Sequence, residues 1–189
     1  MSASPAISPT RATVNDLQSI PGKAELIGGR IVEFMPSGHR PNVVAGRIYR
    51  KIAEHADERG EGVAYTDNMG FVVPLLRSGR QSFSPDASFY LGTIPPDSMR
   101  FVTGPPDFDV EVRSENDYGD AAESALAAKR DDYFAAGTKV VWDVDPIAGL
   151  VRVYRPSAPG VPVTFGRGDW ADAEPVLSGW RVALDWIFA

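Results

Sequence analysis

DFDVEVRSENDYGDAAESALAAKRDDYFAAGTKVVWDVDP, residues 107–146, reads as a strand over 108–114, a polar turn, a helix over 120–136 and a second strand over 139–145. Side chains alternate across a strand with period two, so Phe108, Val110, Val112 and Ser114 share one face. Asp109, Glu111 and Arg113 share the other. That polar face must meet water, a cation or a charged partner, because an unpaired buried carboxylate is costly. In the helix, at roughly 100° per residue, Ala122, Leu126, Lys129, Tyr133 and Ala136 fall at about 0°, 40°, −20°, 20° and −40°. Lys129 therefore lies inside the apolar stripe, where a lysine is uncommon unless paired. Upstream, Ser84-Pro85-Asp86-Ala87 opens a further strand over 86–91, with Asp86 at its start. Each signal has a plainer alternative. The strand could be an edge with solvated charges, Lys129 could snorkel to a rim, and Pro85-Asp86 could be a turn or cap.

The elements around this stretch follow from the same patterns. Residues 1–11 are rich in Ser, Pro and Ala and are expected to form a disordered tail, leaving 12–189 as a single domain. Residues 13–20 form a short helix, with Thr13 as cap and Asp16 at the first-turn acid position. Residues 24–35 form an N-terminal β-hairpin around the turn Gly28-Gly29. A helix over 41–59 shows Val44, Ile48, Ile52 and Ala56 at a spacing of four, and Gly60 stops it. Strands are expected over 62–66, 71–76, 150–154, 161–165 and 180–182, with a proline-containing loop over 92–106. The class is α/β (α+β): a mixed β-sheet flanked by at least two helices.

Composition limits the chemistry. The 189 residues are 43% hydrophobic and 23% charged, as in an ordinary globular protein. There is no cysteine, which excludes disulfides, thiolate zinc sites and cysteine nucleophiles. The two histidines, His39 and His55, lack metal-ligand spacing. Any metal must be a hard cation on oxygen ligands. The net charge of −6 argues against nucleic-acid binding through overall charge, though not against a local basic patch. Gly-x-Ser-x-Gly is absent, and the glycine pairs read as turns rather than phosphate loops. No apolar run approaches a membrane span, and the N-terminus lacks a signal-peptide layout, so a cytoplasmic location is the expectation.

Taken in order, a set of residues resembles the PD-(D/E)XK nuclease superfamily, and within it the bacterial family named Putative restriction endonuclease. The set comprises Glu25-Leu26-Ile27 with Gly29, His39, Pro85-Asp86, Glu111-Val112 followed by Ser114, Lys129, Tyr133, Gly137 and Val141-Trp142 through Asp145-Pro146. The resemblance implies a restriction-endonuclease-like core holding Mg²⁺ (or Mn²⁺) on Asp86, Glu111 and the backbone carbonyl of Val112. It also implies that the lysine normally found two residues after the second acid, here Arg113, is replaced by Lys129 on the following helix. Glu25 and Asp109 are candidate additional acids, with a surface acid of the hairpin as the alternative for Glu25. The chain departs from the family at Asp109, where an apolar residue is usual, and in the acidic run Glu115-Asn116-Asp117.

The implied activity is a metal-dependent endonuclease cutting DNA. The alternative is a non-catalytic binding or assembly module on the same fold, and a third option is a component acting on RNA. A homodimer is a further expectation, with Tyr133, Phe134, Trp180 and the apolar C-terminus as its surface.

Overall fold

The computed structural model describes residues 11–97 and 99–189. The expected tail falls outside the described residues except for Arg11. In chain order the elements are α1 (Val14–Leu17), β1 (Ala24–Ile27), β2 (Arg30–Glu33), α2 (His39–Arg59), β3 (Val63–Thr66), β4 (Phe71–Val72), β5 (Ser82–Phe83), β6 (Ala87–Tyr90), β7 (Val102–Thr103) and β8 (Phe108–Val112). They continue as α3 (Asp120–Ala136), β9 (Val140–Asp145), β10 (Leu150–Tyr154), β11 (Val163–Phe165), β12 (Trp170–Asp172), β13 (Arg181–Ala183) and α4 (Leu184–Ile187).

A six-stranded mixed sheet runs in the order β11-β10-β9-β8-β6-β3. Its one parallel pair is β8 with β9, and α3 is the crossover that such a pair requires. β6 runs antiparallel to β8, with Ser88 opposite Asp109. Period-two alternation then separates two faces. Ala87, Phe89, Phe108, Val110, Val112, Val140, Trp142 and Val144 bury one face against α2 and the C-terminal elements. The other face carries Asp109, Glu111 and Arg113 beneath α3.

The apolar face is built around Trp142, which is fully buried and meets Phe108 and Trp180 at ring-centroid distances of 5.2 and 5.6 Å. Its indole N–H donates to the carbonyl of Asp172 at 3.1 Å, tying β12 to the sheet. Along α2, Val44, Ala45, Ile48, Ile52 and Ala56 are the buried positions, following the four-residue spacing of the sequence.

The hairpin β1–β2 closes on Gly28 and Gly29, both at positive φ (60° and 74°), the geometry of a two-residue turn that glycine adopts without strain. β1 docks beside β5. Gly28 N–H donates to the Gly79 carbonyl at 2.8 Å, Gln81 N–H to the Leu26 carbonyl at 2.8 Å, and Leu26 N–H to Ser82 Oγ at 2.7 Å. This docking turns Glu25 into the interior, beneath α3.

Several details depart from the sequence reading. The expected strand over 71–76 narrows to two paired residues. The loop over 92–106 contains β7, which pairs in parallel with β4. Short strands β5 and β12 form where none was expected. Tyr133 and Trp180, assigned to a dimer surface, are instead buried in the core, at 0% and 6% exposure. A ring that packs against Phe83 or Trp142 cannot also face a second copy.

Replacing Trp142 with alanine removes the central ring of the larger core and the tether to β12. The expected cost is about 3–5 kcal/mol, read as a lower denaturant midpoint at unchanged slope.

Candidate active site

Asp86 sits at the entrance to β6, beside the end of β8. Its backbone N–H donates to the Val110 carbonyl at 3.1 Å, and its Oδ2 accepts from the Val112 N–H at 2.7 Å. One residue back along β8, Glu111 projects toward α3. Its Oε1 accepts from the Tyr133 hydroxyl and from Lys129 Nζ, each at 2.7 Å. Lys129 Nζ also lies 3.1 Å from Glu25 Oε1. Three elements, β1, β8 and α3, thus meet at one ammonium group. The Lys129 side chain is 16% exposed and passes the rings of Phe34 and Tyr133, so its charge opens to a narrow rim rather than to bulk water.

Glu25 is fully enclosed, with Arg80 as a second ion-pair partner and the Ser84 N–H donating at 3.1 Å. Burial alone would raise its pKa, but Lys129 and Arg80 outweigh that and hold it below the usual carboxylate value. Burial opposes the charged form of Lys129 as well. The carboxylates of Glu111 and Glu25 more than offset it, and the amine stays protonated. Glu111 is pushed upward, by burial first and by the neighbouring charge of Asp86, against the pull of Lys129.

A family model described as Putative restriction endonuclease (Uma2) matches residues 14–185. The chain belongs to this family. The fold agrees. A crystal structure from Anabaena variabilis, described as a putative nuclease belonging to DUF820, superposes with a TM-score of 0.73. The two chains are 18% identical over 93% of this chain and 97% of that one. No match is found among curated proteins. As a member of the Putative restriction endonuclease family, the chain carries a nuclease-type mixed α/β core, in line with the resemblance read from its sequence. Among the described residues no helix is long and apolar enough to cross a membrane.

The structure joins Glu111, Lys129, Glu25 and Tyr133 in one bonded group and sets Asp86 beside it, held by the N–H of Val112, the residue after Glu111. Arg113 is held elsewhere. It lies at the position two residues after the second acid, but its guanidinium forks onto Asp143, at 2.6 Å to each carboxylate oxygen, and also pairs with Glu123. That clasp fixes α3 to β9 and leaves no donor free for the acids. His39 heads α2 in an exposed position, and no hydrogen bond or ion pair among the described residues joins it to the acids.

The expectation that the polar face of β8 meets water or a charged partner fails at Asp109. It is fully buried, and neither carboxylate oxygen has a hydrogen-bond partner among the described residues. Tyr133 gives its single hydroxyl proton to Glu111 instead. Ser88, opposite Asp109 on β6, is likewise buried and without a hydrogen-bond partner for its hydroxyl among the described residues.

Sequence reasoning missed Lys23, Asp67, Arg80 and Asp132. Lys23 Nζ lies 2.5 Å from Asp86 Oδ1 and 2.7 Å from Asp67 Oδ1. Arg80 bridges Glu25 and Asp132, at 2.9 Å to the latter. Alternation could have found Lys23, which stands two residues before Glu25 and so faces the same way. Nothing local marks Arg80, which reaches the site only because residues 78–81 fold against β1.

Burial, then the charge of Glu111, raises the Asp109 pKa well above the ordinary carboxylate value. An acid whose folded pKa is raised contributes its full stability below the unfolded pKa of about 4, and that contribution is lost as pH rises toward the folded value. Asp109→Asn keeps the shape and cannot ionise. Its stability relative to wild type should rise from pH 4.5 to pH 8 in urea denaturation, whereas a difference independent of pH would show that the folded protein does not raise the Asp109 pKa.

Proposed function

We propose that the protein is a metal-dependent endonuclease that hydrolyses DNA phosphodiester bonds at Asp86, Glu111 and Lys129. The observation that carries this reading is the placement of Lys129. A lysine from the crossover helix lies against the second acid of β8, while Arg113, at the usual lysine position, is committed to Asp143.

Among the described residues, no three carboxylate or histidine side chains converge on a single ion position. The acids hold ammonium groups instead. The donor set still fits a hard cation, because every available ligand is oxygen. Asp86 and Glu111 would hold Mg²⁺ or Mn²⁺ together with the Val112 carbonyl, which opens to the same side of β8 as the Val112 N–H bound by Asp86. Magnesium commonly keeps several waters and needs only one or two protein carboxylates. When bound, such an ion supplies a water of lowered pKa and a Lewis acid for a phosphate oxygen.

The side chains of this chain supply the rest. Lys129, kept protonated by Glu25 and Glu111, offers a fixed positive charge to the oxygens of a phosphate undergoing attack. Glu25 positions that amine from below, and Arg80 keeps Glu25 ionised. Tyr133 fixes the rotamer of Glu111 through its 2.7 Å hydrogen bond. Asp86 is held in place by the Val112 N–H at 2.7 Å.

Purified protein should nick or cut DNA when Mg²⁺ or Mn²⁺ is added and lose the activity in chelator. Lys129→Ala and Glu111→Ala should each reduce the rate by at least about 10²-fold, the scale of losing one electrostatic contact to a transition state. If the wild-type chain shows no metal-dependent cleavage, the acids serve structure alone and the protein is a non-catalytic binding or assembly module. Cleavage of RNA but not DNA would reassign the substrate.

A further inference from the structure

We propose that Lys23 is an internal cation that competes with the divalent ion for Asp86, and that Asp67 is the carboxylate to which Lys23 withdraws when the ion binds. This rests on the metal reading of Asp86 and Glu111 given above.

The geometry around Asp86 carries the inference. Of its two carboxylate oxygens, Oδ2 is committed to the Val112 N–H at 2.7 Å. Oδ1 is the one left for a cation, and Lys23 Nζ occupies it at 2.5 Å. The Lys23 side chain is only 17% exposed and its ammonium pairs with two carboxylates, so it is a seated counter-ion. The negative charge of Glu111 also acts on it. Lys23 thus stands where a positive charge serves both proposed metal-binding acids. Lys129 is distinct, being bound to Glu111 and Glu25 on the side of α3.

The second half concerns where Lys23 can go. The backbone that follows it is fixed, since β1 is pinned through Leu26 and Gly28 to residues 79–82. Its four-carbon stem is the flexible part of the residue. Asp67, just beyond β3, already touches the same amine at 2.7 Å and is 35% exposed, compared with 13% for Asp86. Moving from Asp86 to Asp67 keeps one ion pair intact and carries the charge outward. Two cations cannot share Asp86 Oδ1 without strong repulsion, so occupancy by a divalent ion requires this exchange.

Calorimetric titration of the full chain with Mn²⁺ tests it, using wild type, Lys23→Gln, Asp67→Asn, the Lys23→Gln/Asp67→Asn double variant and Glu111→Ala. Lys23→Gln should bind Mn²⁺ at least about tenfold more tightly than wild type, within the ordinary range of coupling between two sites. Asp67→Asn should weaken binding in the wild-type background and have no effect when Lys23 is already replaced. Equal or weaker binding by Lys23→Gln overturns the competition. Weakening by Asp67→Asn in both backgrounds overturns the withdrawal role and makes Asp67 a ligand. Binding that is unaffected by Glu111→Ala overturns the underlying metal reading instead.

Should Lys23→Gln fail to fold by circular dichroism, the wild-type chain is followed by NMR of its lysine ammonium groups during Mg²⁺ titration. An ammonium resonance that loses its contact with Asp86 on saturation, and is absent from the conservative variant Lys23→Arg, supports the exchange. Ammonium resonances all unmoved at saturation refute it.

Discussion

Lys129 places one ammonium between two carboxylates that belong to different parts of the chain. Glu111 comes from the central parallel pair of the sheet and Glu25 from the hairpin near the start. Without that charge, two buried acids would face each other under a helix. With it, β1, β8 and α3 have a common reason to meet. The rest of α3 follows the same logic. Of its residues only Tyr133 is fully buried, and its sheet-facing side is secured by Glu123 on Arg113, Asp132 on Arg80 and Arg130 over the ring of Tyr154. Buried ion pairs of this kind add little net stability over apolar packing, because desolvation offsets most of the attraction. What they fix is geometry, since a misplaced α3 would leave several charges buried and unpaired.

The two faces of the sheet therefore divide the work. One is an apolar core centred on Trp142, and it holds the strands rigid. The other combines a smaller apolar cluster that includes Phe83, Tyr133 and Val141 with carboxylates paired to lysine and arginine groups, apart from Asp109, which burial keeps toward its neutral form. In a chain of net charge −6, the acids of the site are only partly balanced by its own cations, since Glu25, Asp67, Asp86, Glu111 and Asp132 share Lys23, Arg80 and Lys129. For a nuclease that balance has a consequence. The phosphate it must approach is anionic, and the cations supplied by the fold and by the proposed metal have to outweigh the acids that hold them.

Much of this was legible in residues 107–146 because both periodicities are clean there. Alternation placed Glu111 opposite Val110 and Val112, and the 3.6-residue period placed Lys129 with Leu126 and Tyr133 on the face that meets the sheet. Asp86 was legible only as the start of a strand, and its bond to Val112 depends on the β6–β8 register, which sequence does not state. Arg113 was ambiguous for the same reason, since its partner Asp143 lies across a parallel pair formed through a seventeen-residue helix. Asp67 and Arg80 were missed because they converge through loop packing, which has no period, whereas Lys23 was within reach of the alternation that runs back from Glu25. Asp109 misled because a charged side chain on a strand normally signals water, and here it signals a buried, unpaired carboxyl.

Crystals grown with Mn²⁺ and measured at a wavelength sensitive to that ion test the central claim most directly. The account predicts one anomalous peak within about 2.0–2.6 Å of carboxylate oxygens from both Asp86 and Glu111, the range of hard-cation coordination, with Lys129 beside it. Anomalous density that avoids Asp86 and Glu111 at saturating Mn²⁺, with Lys23 still seated on Asp86, would contradict it.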